Sequence, residues 1–292
     1  MQTEERWDNF LARDDGNRVA LARFFDVKNR GLFRAWADAS RYWIEDVGGE
    51  RLYAGTLDVV QGRSALSFSH LIIEEYPSRR AAVDIMARSR SIVTMGVRDS
   101  LALALAPESR NAYRFFSVLG KMFGTFFPVE VIDVPKLKYP RDSGSSGITS
   151  DEAQLSVFYE QDQWKPCTMV NLNGIRDRAS YDESGSGLID KNEPGKSAYE
   201  RYARNTAIEV YRRGGNFSWV ARPMTVLVGD SDHPLGQQWS QFVLVYWPSR
   251  MAFRHLVASR NFNRGVVHRN AALSKAIAIP GTPWPEFSRY TL

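Results

Sequence analysis

Only one of the 292 residues is a cysteine, Cys167. An internal disulfide framework is therefore excluded, which suits a reducing cytoplasm. No uninterrupted apolar run approaches the ~18–20 residues needed to cross a bilayer, so no membrane partner is expected. The opening Met1-Gln-Thr-Glu-Glu-Arg lacks the basic stretch and apolar core of a secretory leader. A cytoplasmic globular protein is the expectation. Charge of one sign is nowhere concentrated. The net charge is +5, yet basic and acidic residues alternate, as in Arg176-Asp177-Arg178 and Lys191-Asn192-Glu193. No stretch holds the roughly five or six like charges of an interaction tail, which reads against a nucleic-acid partner. A mildly basic surface suits anionic or carboxylated substrates better.

Catalytic signatures are missing too. No Gly-x-Gly-x-x-Gly opens a helix after a strand, and there is no Walker loop, Cys-x-x-Cys or His-Glu-x-x-His. Gly-x-Ser-x-Gly occurs only as low-complexity fragments around Gly185, without a nucleophile elbow. A Rossmann-type nicotinamide or flavin site is not expected, nor any other dissociable cofactor.

What the chain does have is itself, twice. Tyr76-Pro77-Ser78-Arg79 returns as Trp247-Pro248-Ser249-Arg250, at an offset of 171. The same offset carries Ala81 onto Ala252, Ala87 onto Ala258 and Arg98 onto Arg269. Upstream, Gly48-Gly49 answers Gly214-Gly215 and Tyr53 answers Trp219, at an offset of 166. A repeat this long is a duplicated domain, not a short-period solenoid.

Each copy reads as β-α-β-β-α-β, an α+β ferredoxin-like unit with two helices on one face of an antiparallel sheet. In the first copy the strands fall at Ala20 to Lys28, Tyr53 to Gln61, Phe68 to Tyr76 and Leu101 to Ala106. One helix carries Leu32, Phe33, Trp36, Ala39 and Trp43 and stops at Gly48-Gly49; the other runs from Pro77-Ser78 to about Gly96. In the second copy the strands fall at Thr168 to Asn173, Ser218 to Val228, Gln241 to Trp247 and Ala276 to Ile279. Its helices cover Ala198 to Arg212 and Arg250 to about Val266. The expected domains are residues 18–108, a central aromatic helix and linker over 109–153, and residues 154–287. Ser109 to Phe127 reads as an added helix, for packing or as a lid. Ser143 to Gly147 reads as a linker, and Tyr181 to Lys196 as a long polar loop. One unit has a bare sheet face that must be covered; two packed sheet to sheet would enclose a barrel interior within one chain.

Met169-Val-Asn-Leu172, Ala198-Tyr-Glu-Arg-Tyr-Ala203, Gly214-Gly215 and the strand ending Trp247-Pro248-Ser249 resemble DUF1330-type members of the dimeric α/β-barrel superfamily. Both halves match. The resemblance implies a barrel whose sites lie between the sheet and its helices. That superfamily includes cofactor-free monooxygenases, muconolactone-type isomerases, dehydratases, haem-binding oxidases and proteins without known activity. Fusion of two units and the aromatic insert depart from its pattern, so dimerisation does not carry over, and a homodimer is left open.

Four histidines are present: His70, His233, His255 and His268. Strand alternation places His70, Ile72, Glu74 and Tyr76 on one face. His70 is either a general base, with a pKa near neutrality, or a hydrogen-bonded core histidine. Its counterpart is Gln241, so only one half would work. His255 is expected to face solvent and His268 to sit near a helix end. His233, in Asp230-Ser-Asp-His-Pro234, reads as part of a turn rather than a metal site. Asp26 in the first strand and Asn171 in its repeat are polar among apolar neighbours, a candidate base and oxyanion donor or satisfied strand-end residues. The paired Arg98 and Arg269 hold the fold or clamp an anion; the paired Tyr53 and Trp219 wall a pocket or fill the core. The sequence around Cys167, beside Pro166, predicts no thiolate-stabilising residue, so a nucleophile role is not expected.

Eight Trp, twelve Tyr and sixteen Phe supply both cores and an aromatic pocket. The expectation is a cofactor-independent lyase or isomerase abstracting a proton from a small aromatic or hydrophobic metabolite, with lignin-type aromatic catabolism as one setting. A cofactor-free or haem-dependent oxidase or monooxygenase, and a non-catalytic binding barrel, are the alternatives.

Overall fold

The computed structural model describes residues 2–58, 68–108, 118, 122, 126, 158–181 and 192–288. The expected linker at Ser143 to Gly147 and most of the Tyr181 to Lys196 loop lie outside them. Of the central segment, Val118, Met122 and Phe126 are described; all three are helical and exposed.

The protein is α+β, with two tandem ferredoxin-like units. The first contains α1 (Gln2–Leu11), β1 (Val19–Val27), α2 (Arg30–Asp46), β2 (Glu50–Leu57), β3 (His70–Tyr76), α3 (Arg79–Gly96) and β4 (Val97–Pro107). The second contains β5 (Cys167–Ile175), α4 (Gly195–Arg212), β6 (Asn216–Val228), β7 (Gln241–Trp247), α5 (Arg250–Ala258), α6 (Arg260–Ala272) and β8 (Leu273–Pro283). By packing, the first compact unit is Met1–Glu108 with Ala221–Gln238 and Gly281–Arg289. It gains the distal parts of β6 and β8 because they hydrogen-bond to β4 and β2. Its central sheet order is β4-β1-β3-β2, antiparallel throughout. The second unit repeats that order as β8-β5-β7-β6.

The repeated motifs have local causes. Ser78 and Ser249 each accept a hydrogen bond from the amide three residues on, at 3.2 and 3.1 Å, and so cap α3 and α5. The following arginines stack on phenylalanines, Arg79 on Phe10 at 5.1 Å and Arg250 on Phe158 at 5.7 Å. Phe10 of α1, outside the expected first domain, and Phe158 thus play the same part in the two copies. Gly48 and Gly214 end their helices at φ 76° and 73°, a conformation that favours glycine. Gly215 is packed so tightly that a Cβ there would lie 2.8 Å from Val210 and 2.9 Å from Trp247.

One expected helix is two. Ser259 adopts φ −72°, ψ 144°, closing α5, and its hydroxyl accepts from Phe262 N–H to start α6. The segment is longer than α3, so the offset grows from 171 at the serine caps to 176 at the following strands, Val97 to Leu273. Arg98 thus lies on β4 while Arg269 lies in the last turn of α6. Their sequence match is not a structural one.

Each unit packs its core between sheet and helices. In the first, Val19, Leu21, Ile44, Tyr76, Ala82, Ile85 and Met86 form one cluster, joined by Phe10 of α1. Phe25, Phe33, Trp36, Ala54, Ile72 and Trp284 form another. The second unit's main cluster includes Phe158, Met169, Val210, Val245 and Trp247. No described helix is long and apolar enough to cross a membrane.

Candidate functional site

In the first unit, alternation along β1 puts Arg23 on the same face as Leu21 and Phe25, under the helices. The same rule puts Glu74 and Tyr76 beside it on β3. A bulge between Arg51 and Tyr53 turns Arg51 of β2 into that layer. Glu74 is fully buried and accepts from Arg51 Nε at 3.2 Å and Nη2 at 2.9 Å. It also accepts from Arg23 Nη1 at 3.5 Å and from the Tyr76 hydroxyl at 2.8 Å. Arg51 is anchored further, donating to Ala37 O at 2.6 Å and Ser40 Oγ at 2.8 Å. Burial alone would raise the Glu74 pKa. Arg51, then Arg23, and the hydrogen bonds from Arg51 and Tyr76 outweigh it and hold the carboxyl below its usual range. Burial, then the Glu74 charge, push Tyr76 well above its ordinary value. Two guanidiniums thus share one carboxylate, and the buried cluster keeps a positive charge.

Arg23 carries that charge outward. Its guanidinium lies 5.0 Å from the Trp36 ring and 5.2 Å from Phe25, a stacked cationic arrangement. It is 7% exposed, and its single hydrogen bond among the described residues is the long one to Glu74. It lines a cleft of about 680 Å³ within the first unit, inside the usual range for small-molecule sites. The cleft's charged lining is Arg23, Lys28, Arg90, Arg98 and Asp99; its apolar lining is Trp7, Met86, Val97 and Val228. Met86 and Arg90 reach it together because they stand one turn apart on α3. Trp7 is held by its indole N–H to Leu227 O at 3.1 Å, and the neighbouring Arg6 donates to Gly229 O at 2.7 Å.

Among the described residues, the second unit lacks this cluster. Val19 faces Tyr76 and Cys167 faces Trp247 in matching ladders, so β1 and β5 correspond at an offset of 148. At that register Arg23 corresponds to Asn171. The glycine and strand offsets match Arg51 with Phe217, Glu74 with Val245 and Tyr76 with Trp247. Val245 and Trp247 are buried in an apolar cluster against which Phe217 packs. The same layer is therefore ionic in one copy and almost wholly apolar in the other.

The residues singled out from sequence are scattered. His70 is buried, shares a 2.9 Å hydrogen bond with Ser69 Oγ and stands edge-on to Phe33 at 5.0 Å. Burial, with a contribution from Arg30, lowers its pKa to about 4, below that expected of a base poised near neutrality. Asp26 is gripped by exposed Arg98 through two hydrogen bonds of 2.8 and 2.9 Å. His70 pairs with Phe25, and alternation turns Asp26 to the other face, so the two do not converge. Asn171 corresponds to Arg23 rather than to Asp26; its amide donates to Met169 O at 3.2 Å. Tyr53 is fully buried over Gly55, and Trp219 is buried edge-on to Phe242 at 5.7 Å. Arg269 lies by Tyr199 and Tyr202, drawing their pKa values down against the larger effect of burial.

Three further positions are settled by packing. His255, expected to face solvent, is buried: Arg250, His255, Leu256 and Val257 cover α5 nearly all round. His233 accepts from Leu235 N–H at 3.1 Å and caps a turn. His268 meets the Tyr181 hydroxyl at 3.1 Å. The residues that sequence reasoning missed are Arg23, Arg51 and Asp99. The available signal was a charge inside an apolar strand, as in Ala20-Leu-Ala-Arg-Phe-Phe25.

No protein-family model matches the chain, and no curated protein matches it, so the likeness to DUF1330-type proteins is one of motifs alone. Among solved structures, a protein of unknown function from Rhodopseudomonas palustris is 25% identical. The alignment covers 48% of this chain and 98% of that one, with a TM-score of 0.42. A mutant chlorite dismutase from Candidatus Nitrospira defluvii is 8% identical over 95% of this chain and 94% of that one, TM-score 0.48. An anthrone oxidase-like protein is 8% identical over 92% and 93%, TM-score 0.43.

Proposed function

We propose that the chain is a proton-transfer enzyme of the lyase or isomerase class, kin to the DUF1330-type proteins and acting on a small aromatic or hydrophobic metabolite without a dissociable cofactor. The observation that carries this reading is the positively charged cluster at the cleft of the first unit. Burying ions costs several kcal/mol each, and an apolar replacement is often neutral or better. The second copy fills the same layer with Asn171, Phe217, Val245 and Trp247, so the fold itself does not call for the charges. We read them as kept for the chemistry.

In this reading a substrate C–H bond breaks, its proton passes to a carboxylate, and the electron pair stays on the substrate. The pair then expels a leaving group, giving a lyase, or is reprotonated elsewhere, giving an isomerase. Arg23 stabilises the negative charge that develops, from a preorganised and largely dry position. Arg51, Glu74 and Tyr76 are positioning residues that hold it. The base in this reading is Asp99, the acidic residue among those lining the cleft, which pairs with Asp26 across β4 and β1; Asp26 itself is occupied by Arg98, and His70 is enclosed by Phe33 and Ser69.

The test is NMR in deuterium oxide, under nitrogen and without added cofactors, following deuterium uptake by small aromatic metabolites with an activated C–H bond. Exchange or product should form, falling about 10²–10⁴-fold in Asp99→Asn and about 10²–10³-fold in Arg23→Gln. Turnover that needs oxygen, or that tracks a Soret band, would overturn the reading in favour of an oxidase or monooxygenase.

A further inference from the structure

We infer that the cleft of the first unit is an anion site whose ligand is an aromatic carboxylate, with the carboxylate on Arg23 and the ring toward Trp7. The inference deepens the reading above by naming the substrate class, and it depends on that reading only for the location of the site.

Two independent features carry it. The first is Arg23 itself. A guanidinium offers five N–H donors in a fixed fork suited to a carboxylate, and one 3.5 Å bond to Glu74 is all that the described residues take from it. The side chain is more than nine-tenths buried yet lines the cleft. Glu74 neutralises it only in part, because that carboxylate is shared with Arg51 and its shorter contacts belong to Arg51 and Tyr76. The second is the lining. Lys28, Arg90 and Arg98 add three cations against one anion, Asp99, and Asp26 offsets Arg98. A concave surface with this surplus concentrates anions. The wall formed by Trp7 and Met86 suits a flat apolar body. Trp7 cannot turn away freely, since its N–H is tied to Leu227 O. An inorganic anion would leave that wall unused, and a neutral arene would leave the Arg23 donors unused.

Calorimetric titration of the full chain with 2-naphthoate, and with the neutral 2-naphthylmethanol, tests this. One bound naphthoate per chain is expected, because the second unit has Asn171 in place of Arg23. The alcohol should bind at least about tenfold more weakly, the value of a charge-assisted hydrogen bond. Arg23→Gln should erase that preference. If this variant does not fold, Arg90→Gln on the exposed rim and Trp7→Leu should each weaken naphthoate binding. Equal binding of acid and alcohol, both lost in Trp7→Leu, would overturn the carboxylate assignment and leave the site in place. Binding of neither, or binding that all three variants leave unchanged, would overturn the site as well. Naphthoate binding with no deuterium uptake by any of the activated aromatic metabolites would support this inference while counting against the proton-transfer reading.

Discussion

Glu74→Gln is the substitution from which the structure demands most. It keeps the side chain's shape and removes the single negative charge shared by Arg23 and Arg51. Both residues are buried, at 7% and 8% exposure, so water can replace little of the lost counter-charge. Removing one partner of a buried ion pair costs about 3–5 kcal/mol. Two cations share Glu74, which places the loss at the upper end. Stabilities of about 5–15 kcal/mol are usual, so the variant should unfold at markedly lower urea. The informative companion is the swap that imports the second unit's residues together: Arg23→Asn, Arg51→Phe, Glu74→Val and Tyr76→Trp. No unpaired charge remains in it, and repacking faults cost about 1–3 kcal/mol. It should therefore recover much of the stability that Glu74→Gln loses, while losing naphthoate binding. Urea titrations followed by tryptophan fluorescence and far-ultraviolet circular dichroism give both values. If the fourfold swap is as unstable as Glu74→Gln, the charges are needed by the fold, and the argument that they serve a reaction fails.

Three further outcomes are expected. The folded His70 refuses a proton until about pH 4, whereas an unfolded histidine accepts one near 6.5. Unfolding therefore takes up a proton between those values, and stability should fall as pH drops from 6.5 to 4, by up to about 3 kcal/mol. His70→Gln should flatten that window in urea midpoints measured against pH; an unchanged slope would refute the assignment. Ser259→Ala removes the hydroxyl that starts α6 and should cost about 1 kcal/mol, read as a lower melting temperature. Gly195→Ala would place a Cβ 2.1 Å from Arg176 O, so a loss of about 3 kcal/mol or more is expected, and a native melting temperature would contradict the packing described.

The positions that alternation and repetition could reach were reached. Gly48-Gly49 and Tyr76-Pro77-Ser78-Arg79 mark helix ends through local rules, a left-handed turn and a hydroxyl cap, which nearby residues impose on their own backbone. Alternation likewise groups His70, Glu74 and Tyr76 on one face. It could not say that Glu74 rather than His70 is the centre of that face. The decision belongs to Arg23 and Arg51, which arrive from two other strands, Arg51 only because a bulge turns it inward. A constant offset also misled: it paired Arg98 with Arg269, because nothing local marks how far Ser259 lengthens the second copy. The same limit made Asn171 look like the partner of Asp26 until the strand ladders fixed the register.

By itself, then, the sequence determined the duplicated β-α-β-β-α-β order and most of its boundaries, since each depends on periodicity and capping within a few residues. It also set the supply of charge and aromatic surface. The tertiary structure alone decided which charges meet. Burial, pKa and the cleft are properties of side chains brought together from distant strands and helices. In this fold that assembly made one copy of a repeated layer ionic and left the other apolar.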